Sequence, residues 1–318
     1  MGGAETELAI EHDGATLRGT LRLPAGRSGV PLVIMVHGSG PLDRDTNMPG
    51  QRLDVFKTIA GCLADIGVAS LCYDKRGCAA STGDFLRAGH SDHVQDVVAW
   101  VDRMGAELRI DPGRILVLGY SEGCLIAPQV FIQRSRVAGL ILLCPFVDRI
   151  ESILLKQAAQ LQKESMQWSG LSGFLQMCMM RIQGMHVEAQ RKLIDRVRSS
   201  SGDVLRAGLK RMPARWLREL LAIEPRALFA QVTCPVLAIG GGKDLQCEAG
   251  DAEAIKSLVC GGSEIHVVPD LSHVLRLERE MPTFARYSEL IREPVAPVVL
   301  DLIADWLQRL SRLPPAAR

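Results

Sequence analysis

The most informative segment of the chain is Arg114-Ile-Leu-Val-Leu-Gly-Tyr-Ser-Glu-Gly-Cys-Leu-Ile-Ala-Pro128. Its pattern predicts a buried strand over 115–118, a sharp turn over 119–123 and then the start of a helix. The turn fits G-x-S-x-G, in which glycines permit a strained connection that holds the serine clear of the sheet. Backbone N–H groups at the helix start favour negative charge there. Ser121 is therefore the candidate nucleophile; a chance match in a chain with 30 glycines is the alternative.

The composition is that of an ordinary globular protein, with 318 residues, 47% of them hydrophobic and 23% charged, and a net charge of +1. We expect no nucleic-acid partner from so small a charge. The N-terminus lacks a signal-peptide pattern, and no apolar run approaches the roughly 18 residues that span a membrane. The nine cysteines are scattered without a C-x-x-C pair. That pattern favours buried thiols in the cytoplasm over disulfides or metal ligands.

Strands and helices are predicted to alternate through most of the chain. A hairpin signal at Asp13-Gly14 joins two short strands near the N-terminus. Continuous apolar runs then indicate strands that are buried on both faces. These runs are 31–36, 68–73, 115–118, 137–143 and 234–239, and a further strand is predicted at 264–268. Because helical patterns separate them, we predict an α/β fold with a mostly parallel, doubly wound sheet.

The alternation stops between residues 145 and 230. That segment has no buried-strand run, and helical patterns cover about 150–167, 172–183, 187–199 and 213–222. A strand-free segment of this length is too long to be a loop. We therefore predict an inserted helical cap, or lid, at 145–230 on a core domain formed by 1–144 and 231–318.

A serine hydroxyl needs a base to take its proton and a third group to orient that base. Asp244 and His273 each follow a predicted strand, and sites of open α/β sheets lie at the carboxyl ends of strands. With Ser121 they give the chain order nucleophile, acid, histidine. Asp148, just past the run 137–143, is the alternative acid.

A tetrahedral intermediate at Ser121 would need hydrogen-bond donors for its oxyanion. One candidate is the backbone N–H of Glu122, which follows the nucleophile. The other lies in the loop His37-Gly-Ser-Gly-Pro41, where the N–H of Ser39 is the first choice and that of Gly40 the second. A glycine-rich turn without this role is the alternative.

Five motifs together resemble the α/β-hydrolase superfamily. They are HGSGPLDRD (37–45), YDKRG (73–77), GYSEG (119–123), GKD (242–244) and LSH (271–273). The first is similar to a group of bacterial serine carboxylesterases with the pattern HGSGPxDRD. The resemblance covers about 31–144 and 231–312. It implies a triad of Ser121, Asp244 and His273, with the N–H groups of Ser39 and Glu122 as the oxyanion hole.

Two details near the predicted site remain open at this point. Relatives commonly continue D-x-R-G with further glycines, whereas this chain has Cys78-Ala-Ala-Ser81 in their place. The residues Asp43, Arg44 and Asp45 either shape the mouth of the site or brace their loop through an ion pair.

The predicted cap is rich in methionine and tryptophan. These residues suit packing against the core, and they equally suit a pocket for a bulky apolar acyl or alcohol group. The pocket candidates are Trp168, Met177, Met180 and Trp216.

These residues predict a serine hydrolase that cleaves a carboxylic ester or lactone through an acyl-enzyme. Its partner would be a small ester-like substrate with an apolar portion. A thioesterase, an amidase or peptidase, or an acyltransferase would use the same residues. A non-catalytic binding protein is the alternative from another class. Because the chain lacks H-E-x-x-H, P-loop and Rossmann patterns, we expect no cofactor and no metal. A homodimer is compatible with the sequence.

Overall fold

The protein is built around a large β-sheet, and the computed structural model describes residues 3–165, 186–207 and 210–310. The strands are β1 (Ala4–His12), β2 (Ala15–Leu23), β3 (Val30–Val36), β4 (Ala69–Tyr73), β5 (Ile110–Tyr120), β6 (Val137–Leu143), β7 (Val204–Ala207), β8 (Lys210–Pro213), β9 (Val236–Gly241) and β10 (Ser263–Val268). Eight of them form the sheet in the order β1-β2-β4-β3-β5-β6-β9-β10, while β7 and β8 pair with each other.

Most neighbouring strands of the large sheet run parallel. β2 is antiparallel to both β1 and β4, and every neighbouring pair from β4 to β10 is parallel. The turn between β1 and β2 is the predicted Asp13-Gly14 hairpin, in which φ is 45° and 71° at the two residues. Positive φ at both positions is what a two-residue type I′ turn requires. The predicted mostly parallel sheet is confirmed.

Helices cover both faces of this sheet. They are α1 (Val55–Asp65), α2 (His90–Gly105), α3 (Gly123–Gln133), α4 (Ile150–Ser165), α5 (Val187–Ser199), α6 (Ala214–Leu221), α7 (Pro225–Phe229), α8 (Ala249–Leu258), α9 (Tyr287–Leu290) and α10 (Pro297–Leu310), with a 3₁₀ turn at Phe284–Arg286. One apolar core includes residues of α2 and α3, and the other includes residues of α1 and α10. Because both faces are covered, β4 and β9 are buried at every position.

The segment between β6 and β9, which we call the insertion after the sequence-based prediction, contains α4 to α7 and the β7–β8 hairpin. Three predicted helices begin within one residue of the observed starts of α4, α5 and α6, and the predicted helix 172–183 lies outside the described residues. The expectation of a strand-free insertion was wrong, because β7 and β8 form an antiparallel pair. Each is only four residues long and carries basic residues, so neither gives the apolar run that predicts a buried strand.

The insertion also has an apolar cluster of its own. Four buried side chains from α5 and α6 form it: Ile194, Val197, Leu217 and Leu221. Among the helices of the described ranges, none combines the length and apolarity needed to cross a bilayer.

Candidate active site

Ser121 lies at the sharp turn between β5 and α3. Its backbone has a φ of 55°, in the left-handed region that a residue with a side chain rarely adopts. A Cβ at Gly119 would lie 2.2 Å from the carbonyl oxygen of Gly123, and a Cβ at Gly123 would lie 2.3 Å from that of Val36. Both distances are far below van der Waals contact, so this turn requires the two glycines that the motif predicts.

The structure brings Ser121 together with His273 and Asp244. The Ser121 Oγ lies 3.1 Å from His273 Nε2, and His273 Nδ1 lies 2.8 Å from Asp244 Oδ2. The side chains of His273 and Asp244 are 6% and 1% exposed. The Asp244 Oδ1 accepts hydrogen bonds from the backbone N–H groups of Gln246 at 2.7 Å and Cys247 at 3.0 Å. One carboxylate oxygen is therefore held by the backbone, and the other faces the imidazole.

The loops that carry Asp244 and His273 lie directly against each other. A Cβ at Gly241 would lie 2.2 Å from the carbonyl oxygen of Leu271, so glycine permits this close approach. The hydroxyl of Tyr120 donates to the carbonyl oxygen of His273 at 2.7 Å, and the two rings stack at 5.6 Å. Sequence reasoning missed this role of Tyr120, because a tyrosine at the buried end of a strand resembles an ordinary core residue.

Asp148, the alternative acid, has other partners. Its Oδ2 accepts from Lys156 Nζ at 2.9 Å, and its side chain is 35% exposed. Lys156 also pairs with Glu248 at 2.5 Å. The geometry thus places Asp244 beside the imidazole and places Asp148 in an ion-pair cluster at the surface.

The two segments predicted to supply oxyanion donors flank the serine. Glu122 follows it in the turn, and the loop after β3 passes beside it. A Cβ at Gly38 would lie 3.1 Å from the Cβ of Ser121 and 3.7 Å from its Oγ, so Ser39 follows a residue in close contact with the nucleophile.

A buried polar cluster that the sequence did not suggest lies beneath this turn. The Glu122 Oε1 is 3.0 Å from His90 Nδ1 and accepts from Trp216 Nε1 at 2.6 Å, while Oε2 is 3.8 Å from Lys75 Nζ. Burial alone would raise the pKa of the Glu122 carboxyl, but nearby Lys75 and the hydrogen bond from His90 lower that pKa well below its usual value. Glu122 is therefore a buried carboxylate. Gln129 Nε2 lies 2.9 Å from the second ring nitrogen of His90.

Of the four pocket candidates, only Trp216 falls within the described residues. Trp168, Met177 and Met180 lie outside them. Trp216 is partly buried on α6 and packs against both the sheet core and the cluster of the insertion. Its indole Nε1 donates to the carboxylate of Glu122, the residue that follows Ser121 in sequence.

The structure shows the contacts of Arg44 and the backbone conformation of the turn at 78–81. Arg44 braces its loop, because its Nη2 donates to Asp74 Oδ2 at 2.8 Å and its backbone N–H donates to Asp74 Oδ1 at 2.8 Å. In the turn where relatives carry glycines, Ala79 takes a left-handed φ of 45°. The turn therefore keeps a conformation that glycine would adopt more readily.

Within the described residues, three potential metal-ligating atoms come within 4.8 Å of one another at Cys144, Asp244 and His273. Two of these side chains already hydrogen-bond each other, so an ion there would compete with the contact between imidazole and carboxylate. Cys144 is fully buried beside them, and burial raises the pKa of its thiol well above the usual value. A neutral thiol is a poor metal ligand.

Comparison with known proteins defines the class. The family model described as "Serine aminopeptidase, S33" matches residues 50–280, so the chain belongs to this family of hydrolases. Esterase EstD of Thermotoga maritima is 25% identical over 295 residues, which are 92% of this chain and 65% of EstD. The chain thus spans slightly less than two thirds of that relative's length.

Solved structures agree on the fold. Est1E from Butyrivibrio proteoclasticus with bound ferulic acid superposes with a TM-score of 0.64 at 18% identity, covering 96% of this chain and 100% of Est1E. The α/β hydrolase GrgF from Penicillium superposes with a TM-score of 0.62 at 16% identity, covering 98% of this chain and 100% of GrgF. The chain has the α/β-hydrolase fold that its motifs suggested.

Proposed function

We propose that this protein is a serine hydrolase that cleaves a carboxylic ester or lactone through an acyl-enzyme. The observation that carries the proposal is the continuous hydrogen-bonded chain Ser121–His273–Asp244 at a left-handed turn. The serine is partly exposed, while the other two side chains are shielded from water. This combination suits a nucleophile that must meet substrate and a base that must keep one orientation.

In the proposed reaction, Ser121 Oγ attacks the carbonyl carbon and its proton passes to His273 Nε2. The Asp244 carboxylate stabilises the imidazolium that forms at Nδ1. The tetrahedral intermediate then expels the alcohol, which takes the proton from Nε2. Water attacks the acyl-enzyme by the same route and releases the acid, and Ser121 regains its proton.

The N–H groups of Glu122 and Ser39 are the proposed donors to the oxyanion. The close approach of Gly38 to Ser121 supports this role, since the loop that contains Ser39 runs next to the proposed nucleophile. Preorganised donors of this kind are often worth several kcal/mol in the transition state.

For the substrate we propose a small ester with an apolar acyl or alcohol group, hydrolysed in the cytoplasm, as the scattered cysteines of the sequence suggest. The similarity to EstD, named an esterase, and the HGSGPxDRD motif support an ester. Among the pocket candidates, Trp216 lies in the part of the chain that the structure describes, and we propose that it contributes to the apolar wall of the substrate pocket. Because the family's description names aminopeptidases, cleavage of aminoacyl amides is the second candidate.

The test compares wild type, Ser121→Ala and the control Ser257→Ala on aryl esters of increasing chain length, on lactones and on aminoacyl anilides. Ser257 lies on α8, and its hydroxyl donates to a carbonyl one turn back. We expect ester turnover and labelling by a fluorophosphonate in wild type and in Ser257→Ala. In Ser121→Ala we expect no labelling and a kcat lower by a factor on the order of 10⁴ to 10⁶.

Other outcomes would change the proposal. Faster cleavage of anilides than of esters would select the aminopeptidase. If the wild-type protein neither reacts with the phosphonate nor cleaves any of these substrates, the result would support a non-catalytic binding protein instead.

A further inference from the structure

Lys75 is a buried cation that the proposed mechanism does not use. Its side chain is 2% exposed, and lysine is rarely buried to this extent without a partner. The Nζ donates to the carbonyl oxygen of Gly38 at 2.7 Å and lies 3.4 Å from that of Gly40. Lys75 therefore contacts the backbone of the loop that passes beside Ser121.

The contact at Gly38 has a directional consequence for Ser39. The carbonyl of Gly38 and the N–H of Ser39 belong to one planar trans peptide, and they point in opposite directions across it. A cation that fixes the direction of the oxygen therefore also fixes the direction of the N–H. It further polarises the peptide, which makes the N–H a stronger donor.

The ion-pair partner of Lys75 is Glu122, whose backbone N–H is the other proposed oxyanion donor. Glu122 Oε2 lies 3.8 Å from Lys75 Nζ, and both side chains are 2% exposed. Glu122 is held in turn by His90 at 3.0 Å and by Trp216 at 2.6 Å. The carboxylate of the residue that supplies one donor thus balances the cation that orients the other.

We propose that Lys75 is a positioning residue that orients the Ser39 N–H toward the oxyanion and that its ion pair with Glu122 sets the spacing of the two donors. The inference rests on the proposed function, because it assigns Lys75 a part in the oxyanion hole of that reaction. Lys75 itself does not touch the substrate.

The first test is Lys75→Met, which keeps much of the side-chain length without the charge. Since this change leaves a buried carboxylate without its cation, the second variant is Lys75→Met/Glu122→Gln, which removes both charges together. Loss of one oxyanion donor typically costs 10² to 10³ in kcat. A donor that is present but misdirected should cost less, and we expect a loss of about 10- to 100-fold in kcat with little change in KM.

The matched control removes the neighbouring buried ion pair. Arg76 Nε donates to Asp96 Oδ2 at 3.2 Å, and its Nη1 donates to the carbonyl oxygen of Asp13 at 2.9 Å. Arg76→Met/Asp96→Asn thus removes a cation that also holds a loop carbonyl, but without a contact to the Gly38–Ser39 peptide. We expect this variant to lose stability while its kcat per phosphonate-titrated site stays at the wild-type value.

An ester and its thiono counterpart separate positioning from a general structural effect. Sulfur is a weak hydrogen-bond acceptor, so the thionoester gains little from the two donors. We expect the Lys75 variants to lose more rate on the oxygen ester than on the thionoester. Equal losses on both substrates, or a folded double variant with the wild-type kcat, would overturn the proposal. Failure of wild type to react with the phosphonate would instead refute the proposed function, so the two failures are distinguishable.

Discussion

Replacing Asp244 by asparagine tests the proposed triad most sharply, because the structure determines how the amide must lie. Two backbone N–H groups, from Gln246 at 2.7 Å and Cys247 at 3.0 Å, point at the Oδ1 position. An amide nitrogen there would face two donors, so the amide oxygen must take that place. The NH₂ group then occupies the Oδ2 position, 2.8 Å from His273 Nδ1.

This arrangement forces the wrong tautomer on the histidine. An NH₂ group can only donate, so Nδ1 must become the acceptor and the proton must move to Nε2. Nε2 would then donate to Ser121 Oγ instead of accepting its proton. A triad with this fault typically loses about 10⁴ in kcat, which is about 5.4 kcal/mol in activation free energy.

The assay measures kcat and KM on the best aryl ester for Asp244→Asn and for the control Asp148→Asn. Asp148 pairs with Lys156 at the surface, and such a pair contributes about 0 to 1 kcal/mol to stability. We expect Asp148→Asn to keep the wild-type kcat within about twofold. A loss below about tenfold at Asp244, or an equal loss at Asp148, would refute the reasoning.

Two further predictions concern stability. Gly123→Ala puts a Cβ 2.3 Å from the Val36 carbonyl oxygen and should cost at least about 2 kcal/mol in urea unfolding. Gly250→Ala, where the added Cβ enters open space on α8, should stabilise the protein by about 0.5–1 kcal/mol. Similar losses of stability in Gly123→Ala and Gly250→Ala would contradict this prediction. Burial lowers the pKa of His93 to about 3. Because the unfolded imidazole binds a proton below about pH 6.5, His93 should lower stability as pH falls below that value, by about 1.4 kcal/mol per unit. His93→Gln should reduce this slope between pH 6 and 4, and an unchanged slope in that variant would contradict the assignment.

The parts of the fold that the sequence predicted well are those that depend on local patterns. The apolar run 137–143 gave a strand with the same bounds as β6, and Asp13-Gly14 gave the observed turn. In both cases one physical cause dominates, burial on two faces for the strand and positive φ for the turn. The β7–β8 hairpin has neither signal, since its strands are short and its pairing depends on the packing of the insertion.

In the candidate site, too, local patterns predict some residues, while others depend on packing between distant segments. The proximity of Ser121, Asp244 and His273 could be predicted because each follows a strand of the sheet, and parallel strands bring their carboxyl ends to one edge. Tyr120 and Cys144, which both contact the His273 carbonyl, could not, because their side chains resemble ordinary core residues in sequence.

Glu122 marks the limit of local reasoning most clearly. The sequence predicts a role for its backbone N–H as an oxyanion donor, because the motif places Glu122 directly after the candidate nucleophile. Its side chain finds partners 47 residues before it at Lys75, 32 before it at His90 and 94 after it at Trp216. A buried carboxylate stays ionised only when such partners surround it. Without them, nothing offsets the free energy that the carboxylate loses when it leaves water. Whether a glutamate in this motif faces solvent or the core is therefore decided by the meeting of three distant segments, one of them from the insertion.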